Sequence, residues 1–162
     1  MNIQDPETMQ QSYRTTYWLI TAQTNGITDA ESLLQLPFAA NCMNWVVGHL
    51  VTQRDFVLDL LHQPTLWGDE EYKLYATGSR PIKNADQALP FQQILEALAL
   101  SQERIVTGLN SITQAVWKAD TRSNGREGSV GALVAGYHWH ETYHCGQLEI
   151  LRQLAGKQDQ VI

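Results

Sequence analysis

An all-α four-helix bundle is the fold this sequence predicts. Apolar residues recur at helical spacing over four long segments, and no segment alternates apolar and polar residues as a half-buried strand would. One connection near the middle is also too long for a simple hairpin between neighbouring helices. The chain has 162 residues, enough for one domain with a sizeable core, and it reads as one domain over 1–162.

The first helix starts near Asp5, a capping residue, with Pro6 at the first helical position where its missing N–H costs nothing. Met9, Tyr13, Tyr17 and Ile20 form its core stripe, Asn25-Gly26 ends it, and residues 27–36 add a short helical turn before Pro37. Asn41 is the expected N-cap of the second helix, whose inward face runs through Trp45, Val46, His49, Leu50, Gln53, Phe56, Val57 and Leu60. Periodicity fails from Gln63 to Leu89, where Pro64, Gly68, Gly78 and Pro81 mark a long connection carrying Trp67, Tyr72 and Tyr75. Those aromatics either cover a pocket or pin the crossover to the bundle. Roughly 27 residues can span a bundle in extended form, which permits helices two and three to run parallel; an antiparallel hairpin with a loose loop fits the same spacing. The third helix covers about 90–110, a short helix follows within 111–118, and residues 121–128 read as a turn-rich loop. Ser129 caps the fourth helix, which carries Leu133, Tyr137, His140, His144, Leu148 and Leu151 on one stripe before Gly156 stops it.

Net charge is -6 and the 11 basic residues are scattered, so nucleic acid is not an expected partner. Two cysteines, Cys42 and Cys145, make no disulfide framework and suit a reducing compartment. The N-terminus lacks the basic and apolar regions of a leader, and no apolar run approaches the roughly 18 residues of a membrane span. A cytoplasmic protein with no membrane partner is the expectation.

The chemistry concentrates in Tyr137-His138-Trp139-His140-Glu141-Thr142-Tyr143-His144, which holds three of the five histidines. His140 and His144 stack one turn apart on one helix face and can present nitrogens to a single divalent metal. His49 lies on the inward face of helix two and completes a neutral tripod of His49, His140 and His144. Three protein ligands leave a position open for substrate, the arrangement of catalytic zinc sites, and nickel or ferrous iron accepts imidazole equally. His138 lies roughly 200° round the helix from His140, and reads as a surface or interface residue. His62, at the end of helix two, reads as a helix-dipole partner. Trp45 and Tyr137, each one turn from a ligand, are candidate pocket residues.

His140-Glu141-Thr142-Tyr143-His144 also matches H-E-x-x-H, in which the glutamate is the general base of a zinc peptidase. Gln147 and Ile150 stand where the extended motif needs Gly and His, and no substrate-binding strand precedes the helix. Glu141 remains a candidate acid/base, although it points off the direction of the two histidines.

Asn44-Trp45-Val46-Val47-Gly48-His49-Leu50 resembles the second-helix signature of the DinB family of metal-dependent proteins. His140-x-x-x-His144-Cys145-Gly146-Gln147 resembles its fourth-helix signature, with Cys145 where the family often has arginine. The resemblance implies an up-down-down-up bundle with a long crossover between helices 2 and 3, a divalent metal on the three histidines, and homodimerisation. Family members with assigned chemistry resemble thiol-dependent transferases and isomerases, so the resemblance implies a metal that activates the sulfur of a low-molecular-weight thiol. The leading expectation is therefore a metal-dependent transferase, isomerase or hydrolase acting on a small-molecule substrate. The alternatives are a non-catalytic bundle that binds a small ligand or metal, and the peptidase.

Overall fold

A computed structural model of the chain describes residues 5–159 and 161. Residues 1–4, part of the stretch examined for a leader, lie outside the described residues. Helix α1 (Pro6–Thr24) begins as the sequence predicts: Asp5 accepts the Thr8 N–H at 2.9 Å, and Pro6 fills the first position. It ends at Asn25, ahead of Gly26 at φ 71°. The single turn α2 (Asp29–Ser32) is held by a Thr28–Glu31 capping box.

Helix α3 (Met43–Leu60) is capped by Cys42, not by Asn41 as the sequence suggested. The Cys42 thiol points to the Ile82 carbonyl at 3.5 Å and makes no cap bond, while Asn41 faces a cavity. At its C-terminus, His62 adopts φ 54°, and the N–H groups of His62 and Gln63 donate to the carbonyls of Asp59 and Leu58. His62 is thus the left-handed residue of a Schellman motif, the place glycine usually takes.

The long connection is more ordered than its composition suggests. It contains α4 (Asp69–Tyr75) and a 3₁₀ turn, Ala85–Gln87. Only Tyr75 of α4 is buried, so the segment is too short and too exposed to leave a periodic signal. Helix α5 (Phe91–Ser111) and the short α6 (Gln114–Lys118) follow. Residues 121–128 are not a loop, as expected, but most of a hairpin between β1 (Asp120–Ser123) and β2 (Arg126–Ser129). Its two-residue turn, Asn124-Gly125, has φ 46° and 74°, the conformation for which Asn-Gly is the favoured pair. Helix α7 (Val130–Leu154) closes the chain, with Ser129 accepting the Ala132 N–H at its start.

Side-chain bonds fix the helix directions. Tyr13 bonds to the Val134 carbonyl and Arg152 to that of Gln23, so α1 and α7 run parallel. Asn44 meets the Leu89 carbonyl and Arg54 meets Ser101, so α3 and α5 also run parallel. Phe56 stacks on Tyr137 while His49 meets His144 farther along α7, so α3 and α7 are antiparallel. The order is up-down-down-up, with the crossover between α3 and α5.

Two apolar clusters fill the bundle. One gathers Ile20, Val46, Val47, Leu50, Leu98 and Leu148, the other Met9, Tyr13, Val57, Ile105, Val134 and Tyr137. Buried polar groups from all four long helices join in the core: Thr16, Arg54, Ser101 with Gln102, and Glu141. Arg54 donates to Glu141 through Nε at 2.7 Å and a terminal nitrogen at 2.8 Å, and Thr16 donates to the same carboxylate. A bidentate pair with its remaining donors satisfied is the form in which a buried charge is tolerated.

Candidate metal centre

The three histidines expected from sequence converge. Nε2 of His49 and Nε2 of His144 each lie 3.0 Å from Nε2 of His140. One ligand nitrogen from each ring falls within 4.8 Å of the other two. Nitrogens bound at roughly 2.1 Å to one ion are separated by about 3.0–3.4 Å for angles from octahedral to tetrahedral. The two separations to His140 match the short end of that range.

The outward nitrogens explain how the rings are held. Nδ1 of His49 lies 2.8 Å from the Tyr75 carbonyl and Nδ1 of His144 lies 2.7 Å from Oε1 of Gln147. Both partners are acceptors, so each Nδ1 carries the proton and each Nε2 turns a lone pair inward. His140 has one Nε2 facing both lone pairs and can supply at most one proton between them. A cation among the three nitrogens satisfies all of them, and the donor set fits a divalent metal.

Burial keeps the tripod neutral. It lowers His49 from 6.5 to about 4, against a smaller opposing effect of the Tyr75 carbonyl. His140 and His144 are lowered as well, chiefly by burial. Neutral imidazole is the form that binds metal.

The local fold supplies this geometry at several points. Gly48 lets the Tyr75 ring lie directly on α3, because a Cβ there would overlap that ring. The Tyr75 hydroxyl donates to Asn44 Oδ1 at 2.9 Å and accepts the Leu89 N–H at 2.9 Å, so the crossover is tied down where its carbonyl meets His49. Trp67 packs against the Tyr75 ring at 5.2 Å. The aromatics of the connection therefore pin it, and Thr77 just beyond them walls the cavity.

The tripod sits at one side of a cavity of about 530 Å³. Trp45 lines it as expected, stacked on His49 with centroids 4.7 Å apart and its Nε1 donating to Ser79 Oγ at 2.8 Å. Tyr137, the other expected pocket residue, does not line the cavity. Its side chain leans toward the start of α7, stacks on Phe56 and bonds to Ser123 on the hairpin. Glu141 is also elsewhere: 2% exposed, it is held by Arg54 and Thr16 in the core. Burial alone would raise its pKa, but the Arg54 guanidinium more than reverses this and holds it below the ordinary value. His138, expected at the surface or an interface, is instead half-buried and packs edge-on against Tyr13 of α1 at 5.0 Å. Cys145 is buried, and burial pushes its thiol up to about 12, so it stays protonated.

Sequence reasoning missed Gln147, which orients His144, and the loop residues Leu36, Phe38, Ala39 and Ala40, which form a cavity wall. Gln147 had a signal, since it lies one turn beyond His144 on the same face. The loop residues had none.

The sequence model of the DinB superfamily matches residues 13–148, a span that takes in all three histidines. No curated protein matches the chain.

Proposed function

Because the chain belongs to the DinB superfamily, we propose that it is a metal-dependent enzyme whose His49, His140 and His144 hold a divalent ion beside a small-molecule cavity. The observation that carries this is the convergence of three neutral imidazole nitrogens at a cavity rather than inside a sealed core. Zinc, nickel or ferrous iron suits the donor set, and such an ion supplies a Lewis acid that lowers the pKa of a bound thiol or water. The chain's part is to keep the imidazoles neutral, fix their tautomers through Tyr75 and Gln147, and present an open apolar face. A thiol-dependent transferase or isomerase, or a hydrolase, is the chemistry proposed.

Among the described residues no carboxylate or amine side chain lines the cavity, and Tyr143 is the one ionisable group there besides the three histidines, which favours a second reading, a protein that only binds a small ligand. The peptidase reading is not carried further, because both Glu141 oxygens are engaged away from the tripod. Metal analysis of the purified protein tests the proposal. Wild type is expected to carry about one first-row metal ion, and His49→Ala, His140→Ala and His144→Ala to lose it while staying folded. Wild type that binds no metal on titration overturns it. Turnover of electrophiles with small thiols, present in the loaded protein and absent in His140→Ala, separates the enzyme from the binding protein.

Trp139, Tyr143, Ile150 and Leu154 lie exposed along α7 at helical spacing, which supports a homodimer formed along that face. Sedimentation of wild type against Trp139→Glu tests it: a dimer that dissociates supports it, and a wild-type monomer refutes it. Among the described residues no helix is long and apolar enough to cross a membrane. The free, buried Cys42 and Cys145 support a cytoplasmic location. The helices share the core built by α1, α3, α5 and α7, which supports one domain over 1–162.

A further inference from the structure

Resting on the metal reading above, we propose that the molecule taken up beside the tripod is apolar and carries at most one anionic group, the one that meets the ion. No Asp, Glu, Lys or Arg lines the cavity. Leu36, Ala39, Ala40 and Leu151 give it an aliphatic wall, while Trp45, Phe38 and Tyr143 offer aromatic surface. The Trp45 indole N–H is spent on Ser79, so the ring presents carbon rather than a donor. Phe38, off the α7 face, remains 63% exposed, which extends the apolar surface outward from the tripod. Such a mouth is what an apolar molecule would cover on binding.

Charge determines the rest. Three neutral imidazoles around a divalent ion leave its two positive charges unmatched, and these favour an anionic donor bound directly to it, such as a thiolate or hydroxide. A second anionic group held elsewhere in the cavity, away from the ion, would be desolvated with no cation to meet it. Arg54 is committed to Glu141 in the core, and Arg126 lies over the Tyr137 ring; neither lines the cavity. The remaining polar side chains, Asn41, Thr77, Tyr143 and Gln147, carry no fixed charge and suit a hydroxyl or carbonyl. The volume of about 530 Å³ lies within the small-molecule range of roughly 300–1,000 Å³. The favoured class is thus an aryl or alkyl compound with a single metal-seeking group, and not a polycarboxylate or another compound with a second anionic group away from the ion.

Two thiols that differ in this respect give the test: phenylmethanethiol, and mercaptosuccinate with its two carboxylates. Their affinities for zinc-loaded wild type are measured by calorimetry, alongside Ala40→Lys, which adds a cation to an exposed part of the wall. Phenylmethanethiol is expected to bind at least tenfold more tightly, and Ala40→Lys to shrink or invert that ratio. Equal or tighter binding of mercaptosuccinate by wild type, or binding of neither thiol, overturns the proposal. If zinc itself does not bind, the metal reading fails separately. The same preference is then read on the metal-free chain with benzyl alcohol against benzoate, through the Trp45 indole N–H resonance. Perturbation by the alcohol alone supports an apolar site, and perturbation by benzoate or by neither overturns it.

Discussion

A Cβ built on Gly48 would overlap the Tyr75 ring, whose residue supplies the carbonyl that holds the His49 tautomer. Gly48→Ala is therefore expected to act twice. Displacing a packed ring costs about 1–3 kcal/mol of stability, and loosening the outer partner of a ligand costs roughly 10–100-fold in metal affinity. Chemical denaturation and zinc titration check the two effects separately. Glu141 gives the opposite pattern, a loss of stability without a direct loss of ligand. Glu141→Gln leaves the Arg54 guanidinium buried without its counter-charge, and breaking such a pair costs about 3–5 kcal/mol. Replacing both partners, as in Arg54→Met with Glu141→Leu, is expected to recover most of that loss. A general base would behave otherwise, since Glu141→Gln would then abolish turnover in a protein of normal stability.

At the scale of elements, the end of α3 carries a residue in a costly conformation. His62 holds φ 54° in the left-handed position of its Schellman motif, where glycine has no Cβ penalty. His62→Gly is expected to raise stability by up to about 1 kcal/mol, read as a higher denaturation midpoint with an unchanged slope. The elements also show what a sequence signals. Asp5, Pro6 and Ser129 state their roles locally, because a cap needs only the next three residues to act. His49, His140 and His144 were legible because each polar side chain interrupts an apolar stripe and so needs a common partner. The hairpin was not legible as strands, since four-residue strands are too short to alternate, although Asn124-Gly125 is the pair its turn demands. Cys42 and Asn41 could not be separated as caps, because the choice depends on the Ile82 carbonyl 40 residues away. Tyr137 was misplaced for a related reason: helical spacing gives a side chain's angle, but its lean toward the start of α7 carried it to the hairpin.

For the whole molecule, the tripod makes stability depend on pH in a direction that can be worked out. Unfolded, each histidine titrates near its ordinary 6.5, whereas folding lowers all three, His49 to about 4. Between those values the unfolded chain binds protons that the folded chain does not, so stability falls as pH falls. The contribution is intact above 6.5 and is lost progressively toward pH 4. For His49 alone the difference amounts to about 3 kcal/mol. Glu141, held below its ordinary value, adds a loss in the same direction only at more acidic pH. Metal changes the profile by binding the neutral imidazoles of the folded chain, which stabilises it by mass action and competes with protons. Melting of the metal-free protein is thus expected to show a falling midpoint from pH 7 to pH 4, with zinc raising that midpoint strongly at pH 7 and little at pH 5. In His49→Ala with His144→Ala, both the acid sensitivity between pH 6.5 and pH 4 and the response to zinc should shrink together. Acid sensitivity that persists undiminished in that variant would place its source outside the tripod.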